Sequence, residues 1–187
     1  MKYKILKQHL YSYGNYSLTN ITMENLVEIK AWRNEQIDIL RQNKKLTNKN
    51  QRNYYKKTIE PTLRLKYPNQ LIFSFLENNF CIGYGGLTNI DWTAKRTEMS
   101  FLVNPIRKKV NSLYSQDLNC FFSLIRIIAF DELKLEKIFT ETYDIRPFHV
   151  SILESIGFTF EGRLKNHNII NNKKVDSIMH GYFKNEL

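Results

Sequence analysis

Cysteine is scarce: Cys81 and Cys120 are the only two in 187 residues. Two thiols cannot build a disulfide framework, and no Cys/His cluster with metal-ligand spacing accompanies them. Cys81 falls in an apolar strand pattern and Cys120 in an apolar helix pattern, so both are expected as buried free thiols, which fits a reducing compartment. No run of about 18 apolar residues occurs, which removes a helical membrane span. Residues 1–10 carry lysines but alternate with polar residues and lack a hydrophobic signal region, so a cytoplasmic location is the default. No repeat, Gly/Ser linker or low-complexity tract divides the chain, and a single domain over 1–187 is expected. Nucleophile triads, Walker loops and dinucleotide fingerprints are likewise missing.

What is present suits a folded domain. The chain is 42% hydrophobic and 13% aromatic, and a domain of this length buries roughly 70% of its unfolded surface. The 28 Lys and Arg outnumber the 18 Asp and Glu, for a net charge of +10. That excess favours anionic partners or is an ordinary solvated surface. Charge alone leaves a nucleic-acid partner open, but no RNA-binding signature supports one.

Periodicity gives a coarse order. β-formers around Gly14 and Asn15 predict two short strands, and Thr22 predicts the cap of a helix over 23–32. A further helix is expected over 50–58. Strands follow at 71–76, 80–87 and 96–103, with a turn at 77–79 and a connection at 90–94. A long apolar stripe predicts a helix over 113–133, then a strand at 137–142. A helix over 146–155, with Pro147 in its first turn and Gly157 past its end, precedes strands at 158–163 and 174–183. The fold class is α/β (α+β): one mixed, mostly antiparallel sheet flanked by helices.

Four segments in this order carry a resemblance: 81–87 (CIGYGGL), 96–105 (RTEMSFLVNP), 129–138 (AFDELKLEKI) and 152–164 (ILESIGFTFEGRL). Together they resemble the GNAT superfamily of N-acetyltransferases. Residues 31–35 (AWRNE) are similar to the opening helix of the branch that acts on protein N-termini and sugar nucleotides. The resemblance implies acetyl-CoA as cosubstrate, with no metal. It implies that the strand ending at Val103 splays from the strand starting at Lys137, parting just after Phe101. Pantetheine then pairs with the backbone at Phe101, Leu102 and Val103. The pyrophosphate rests on amides at the start of the next helix, where free N–H groups and the helix dipole favour an anion.

The chain departs from the family pattern twice. The phosphate loop normally carries glycines, which wrap the backbone at positive φ without steric cost; residues 106–115 (IRKKVNSLYS) have none. Either the site is remodelled, with Arg107, Lys108, Lys109, Ser112 and Ser115 supplying charge and hydroxyls, or CoA binding is weakened or lost. In addition, Arg146 stands where the family often has a pantetheine-touching Asn, and Leu153 where many members have a proton-donating Tyr. Tyr143 or water is then the donor, or the thiolate leaves without one.

Acyl transfer needs a neutral amine, so something must take a proton from an ammonium whose pKa lies near about 10. Glu98, interrupting a β-forming strand beside the expected thioester, is the first candidate base; a surface-facing strand residue is the alternative. His149 is a second candidate, as base or substrate ligand. His180 can pair with Asp176 or a substrate hydroxyl, or is a half-buried strand histidine. Tyr84, Asp91 and Trp92 flank the region that usually faces substrate, and the two aromatics can stack on a sugar or base or pack in the core. Arg33 and Arg41 can bind a substrate phosphate. The expected activity is acetyl transfer to a primary amine of a small molecule, an amino-sugar nucleotide, by a monomer or homodimer. A protein N-terminal acetyltransferase of the ribosomal type and a non-catalytic GNAT-like module are the alternatives.

Overall fold

A computed structural model describes residues 2–184. One sheet of eight strands runs through it, in the order β1-β2-β3-β4-β5-β6-β8-β7. β1 (Leu10–Tyr13) and β2 (Tyr16–Asn20) form a hairpin around Gly14, whose φ of 59° suits glycine. Thr22 caps α1 (Met23–Glu35) by accepting from the Asn25 amide. A 3₁₀ turn at Ile37–Ile39 follows, then α2 (Asn48–Tyr54), opened by a capping box between Thr47 and Asn50. The helix widens into a π-turn at Tyr55–Ile59 and ends in the short α3 (Glu60–Thr62). This composite is longer than the segment expected from the sequence.

β3 (Leu71–Glu77), β4 (Phe80–Asp91) and β5 (Arg96–Val103) form an antiparallel meander. β4 reaches Asp91, so strand replaces the first two residues of the connection expected at 90–94 and a turn occupies the rest. The register slips between Thr88 and Asp91, where Asn89 takes a φ of 49°. This bulge re-aims the Asn89 side chain. The glycines of β4 are there for close approach: a Cβ at Gly86, with φ +152°, would lie 1.9 Å from the Leu71 carbonyl oxygen, and one at Gly85 2.1 Å from that of Ser100.

After β5 come α4 (Pro105–Lys108) and α5 (Asn111–Arg126), the latter extended by a π-turn at Ile127–Glu132. β6 (Lys137–Tyr143), α6 (Pro147–Ser155), β7 (Thr159–Ile170) and β8 (Lys173–Phe183) complete the fold. β7 is about twice its expected length because its pairing with β8 continues to the hairpin tip.

Alternation along the strands divides the core. On one face Phe73, Phe75 and Val103 pack with Leu118, Phe121 and Ile125 of α5; on the other Ile72, Tyr84 and Leu102 pack with Leu26 and Ile29 of α1. The two cysteines are free but half-buried rather than buried. Burial pushes the Cys81 thiol up to about 11, so it stays protonated at neutral pH. No helix among the described residues is long and apolar enough to cross a membrane.

Candidate active site

The sheet is antiparallel everywhere except between β5 and β6. These two strands run parallel and pair only at Arg96–Lys137, Thr97–Ile138 and Glu98–Phe139. From residue 99 onward they diverge, three residues earlier than expected, leaving 99–103 without a strand partner on that side. Gln36 Nε2 donates to the Val103 carbonyl at 2.9 Å. A cavity of about 450 Å³ fills the opening, walled by Met99, Ser100 and Phe101 on one side and by 140–143 on the other.

Glu98 sits at the apex. Alternation sends it, with Ser100 and Leu102, to the α1 face, where the segment after α1 covers it and leaves it 8% exposed. Arg41 grips it with two nitrogens, Nη1 to Oε2 at 3.1 Å and Nη2 to Oε1 at 2.8 Å. Asn89, turned by the bulge, donates from Nδ2 to Oε2 at 2.7 Å. Arg41 Nη2 also reaches Glu141 Oε2 at 2.6 Å. Glu141 in turn accepts from Ser177, and Ser177 from Asn168, each at 2.7 Å. Burial works against charge on Arg41, but Glu98 and Glu141 raise its pKa above the ordinary arginine value. Arg41 therefore spends its charge on these carboxylates rather than on a free substrate phosphate.

A second polar group closes the other wall. His149 is sealed in α6, with Nδ1 at 2.8 Å from the Tyr114 hydroxyl, which accepts from Arg146 Nη2 at 2.8 Å. With the phenol oxygen accepting from arginine, its proton goes to Nδ1, which places the imidazole hydrogen on Nε2. Burial and the charges of Arg146 and Lys108 hold the His149 pKa well below 6.5. A neutral imidazole kept from protonating is a poor base. Tyr143, at the end of β6, lines the cavity; burial raises its phenol above 10, so it keeps its proton at neutral pH.

The glycine-free loop is sorted by direction. Arg107 turns inward to Asp117, Nε to Oδ2 at 2.7 Å and Nη2 to Oδ1 at 2.6 Å, and to Glu77 at 2.9 Å. It is thus occupied, contrary to a phosphate-binding role. Lys109 and Ser112 are exposed, and Lys108 and Ser115 half-exposed, around a start of α5 that carries no side-chain cap. Burial and Arg146 lower the Lys108 amine below the usual lysine range.

A smaller cavity of about 280 Å³ adjoins the first and shares Arg33, Gln70, Thr88 and Ser100 with it. Tyr84 lines it. Asp91 and Trp92 do not join either cavity. Asp91 accepts from the Thr93 and Ala94 amides in the following turn, and the Trp92 indole donates to the Pro68 carbonyl. His180 is fully buried in β8, with Nε2 at 3.5 Å from Glu154, while Asp176 serves Arg163 and the Asn166 amide. The expected His180–Asp176 pair is not formed. Sequence reading missed Tyr114, Glu141 and Asn89. Only the break in strand pattern near Asn89 offered a signal for any of them.

Residues 18–179 match a family model described as an acetyltransferase (GNAT) domain. No curated protein matches the chain significantly. Among solved structures, a spermidine N-acetyltransferase from Vibrio cholerae in complex with CoA and spermine is similar. It is 18% identical with a TM-score of 0.75, over 92% of this chain and 97% of that one. A dodecameric form of that Vibrio cholerae enzyme in an intermediate state, also 18% identical, matches with a TM-score of 0.70 over 92% and 95% of the two chains. The likeness confirms the fold. With the family model spanning most of its length, the chain belongs to the GNAT acetyltransferase family and is an N-acetyltransferase.

Proposed function

We propose that this enzyme transfers acetyl from acetyl-CoA directly to a primary amine of a small molecule, with Glu98 taking the ammonium proton. One observation carries the reading: a buried carboxylate, oriented by Arg41 and Asn89, stands where β5 and β6 part. The residues present fit the cosubstrate. Backbone groups at Phe101, Leu102 and Val103 have no β6 partner and, apart from the Val103 carbonyl that accepts from Gln36, suit the amides of pantetheine. Lys108, Lys109, Ser112, Ser115 and Arg146 surround the uncapped start of α5 and suit a pyrophosphate. When bound, acetyl-CoA supplies the thioester.

The roles follow from the environments. Glu98 accepts a proton, directly or through water. Arg41 holds it aimed through two charge-assisted hydrogen bonds. Tyr143, protonated at neutral pH, is the donor toward the departing sulfur, in place of the tyrosine that Leu153 replaces. His149 is a positioning residue that fixes Tyr114 and, through it, Arg146.

The acceptor reading is an amino sugar carrying a phosphate, such as an amino-sugar nucleotide. Gln70, Thr88, Asn89 and Ser100 give the cavity hydroxyl-binding groups, and Arg33 a cation. A polycationic acceptor is the second reading, favoured by the Glu98 and Glu141 carboxylates. Thiol release from acetyl-CoA should be measured with 4-amino-sugar nucleotides, spermidine and N-terminal peptides side by side. Release with the first alone is expected. Release confined to spermidine or to peptides overturns the acceptor, and acetyl-CoA binding without release to any amine overturns the catalytic reading.

A further inference from the structure

The smaller cavity has a chemistry that the acetyl-transfer reading leaves unused. Its walls combine apolar Leu26, Ile29 and Ile72 with the rings of Tyr54 and Tyr84. Among the described residues that line it, Arg33 alone is charged. That guanidinium is half-buried and bonded only to neutral oxygens: Nε donates to Gln42 Oε1 at 2.9 Å and Nη1 to the Tyr84 hydroxyl. Among the described residues no carboxylate forms an ion pair with it. The partners are held in place: Asn34 accepts from Gln42 Nε2 at 3.1 Å and from the Leu46 amide at 2.7 Å, and so folds the 40–47 segment back onto α1. A half-buried cation left without a counter-charge beside an apolar hollow is a receptor for an anion.

Position narrows the ligand. Arg33 lies on the wall common to both cavities, and Ser100 opens onto each. An anion on Arg33 therefore stands between the amine end of the larger cavity and the apolar end of the smaller one. We infer that the smaller cavity, joined through Arg33, is an acceptor subsite for a molecule whose anionic group adjoins a flat or apolar body. This rests on the acetyl-transfer reading and specifies its substrate. A volume near 280 Å³ is at the low end of the roughly 300–1,000 Å³ of small-molecule sites and suits one ring system rather than a long chain. The shared chemistry has two sources, a nucleotide with its phosphate and base, or an aromatic amino acid with its carboxylate.

Calorimetric titration without acetyl-CoA separates them. The probes are UMP against uridine, and L-phenylalanine against 2-phenylethylamine, on wild type, Arg33→Met and Arg33→Lys. In at least one pair the anionic member should bind wild type at least tenfold more tightly than its uncharged-tail counterpart. Arg33→Met should abolish the difference and Arg33→Lys restore part of it, with thermal midpoints confirming that both variants fold. The pair that responds names the source. No preference for the anion in either pair, or a preference that survives Arg33→Met, overturns the inference. Thiol release is read separately. Acetylation of amines that ignores Arg33 removes the subsite and keeps the enzyme, while anion binding with no acetylation of any amine does the reverse.

Discussion

Replacing Glu98 with glutamine tests the catalytic centre with little change of shape. At pH 7.5 an amine of pKa about 10 is neutral in only about 0.3% of molecules. Losing a positioned base typically lowers the rate by about 10²–10⁴, or about 2.7–5.4 kcal/mol of barrier. The structural cost is smaller. Glu98 Oε1 and Oε2 accept from three nitrogens on Arg41 and Asn89, and a glutamine amide turns one of those contacts into donor against donor. Arg41 is half-exposed and keeps Glu141, so the stability loss should be about 1 kcal/mol. That lowers the thermal midpoint by about 2–4 °C for a chain of this size. Turnover, followed by thiol release, should fall at least a hundredfold while calorimetric acetyl-CoA affinity stays within twofold. Raising the pH should recover the variant's rate nearly tenfold per unit up to about pH 10, because solvent then makes the free amine. A variant within threefold of wild type at neutral pH, or one whose deficit persists at pH 10, refutes Glu98 as the proton acceptor.

Arg107→Met should lower stability by about 3–5 kcal/mol, since it strands the fully buried Asp117 without its cation; chemical denaturation checks this, with a loss under 1 kcal/mol refuting it. His149 is held neutral in the fold, so folded protein binds fewer protons than unfolded protein below pH 6.5. Its contribution is complete above pH 6.5 and declines by up to about 1.4 kcal/mol per unit as the pH falls below that. Thermal midpoints from pH 7.5 to 4.5 should therefore fall less steeply in His149→Asn than in wild type. Gly86→Ala should cost about 3 kcal/mol or more, because the new methyl meets the Leu71 carbonyl at a backbone angle hostile to side chains; an unchanged midpoint would show that β3 gives way freely.

The scaffold was legible where local pattern decides it. Alternation at 96–103 and the apolar stripe of α5 need only neighbours in sequence. The splayed pair came from the motif resemblance, yet its apex lies at Glu98 rather than Phe101 because only three rungs form. The polar network was less accessible. Arg41 meets Glu98 across 57 positions and Glu141 across 100, and no periodicity encodes such contacts. Charge density misled at Arg107, where the deciding partner, Asp117, is an acid buried ten residues away on α5. Trp92 and Asp91 read as substrate-facing because the sequence does not reveal that β4 ends in a self-contained turn.

The three rungs joining β5 to β6 act as a fulcrum. At about 3.3 Å per residue, Val103 lies about 17 Å beyond Glu98 along its strand. A rocking of about 5° between the two strands would move that tip by about 1.5 Å, enough to clasp or release a slender ligand. No rung has to break for this, since the long arms are already apart. Such a rocking would adjust the grip by leverage at one end, while Glu98, set at the pivot, would barely move.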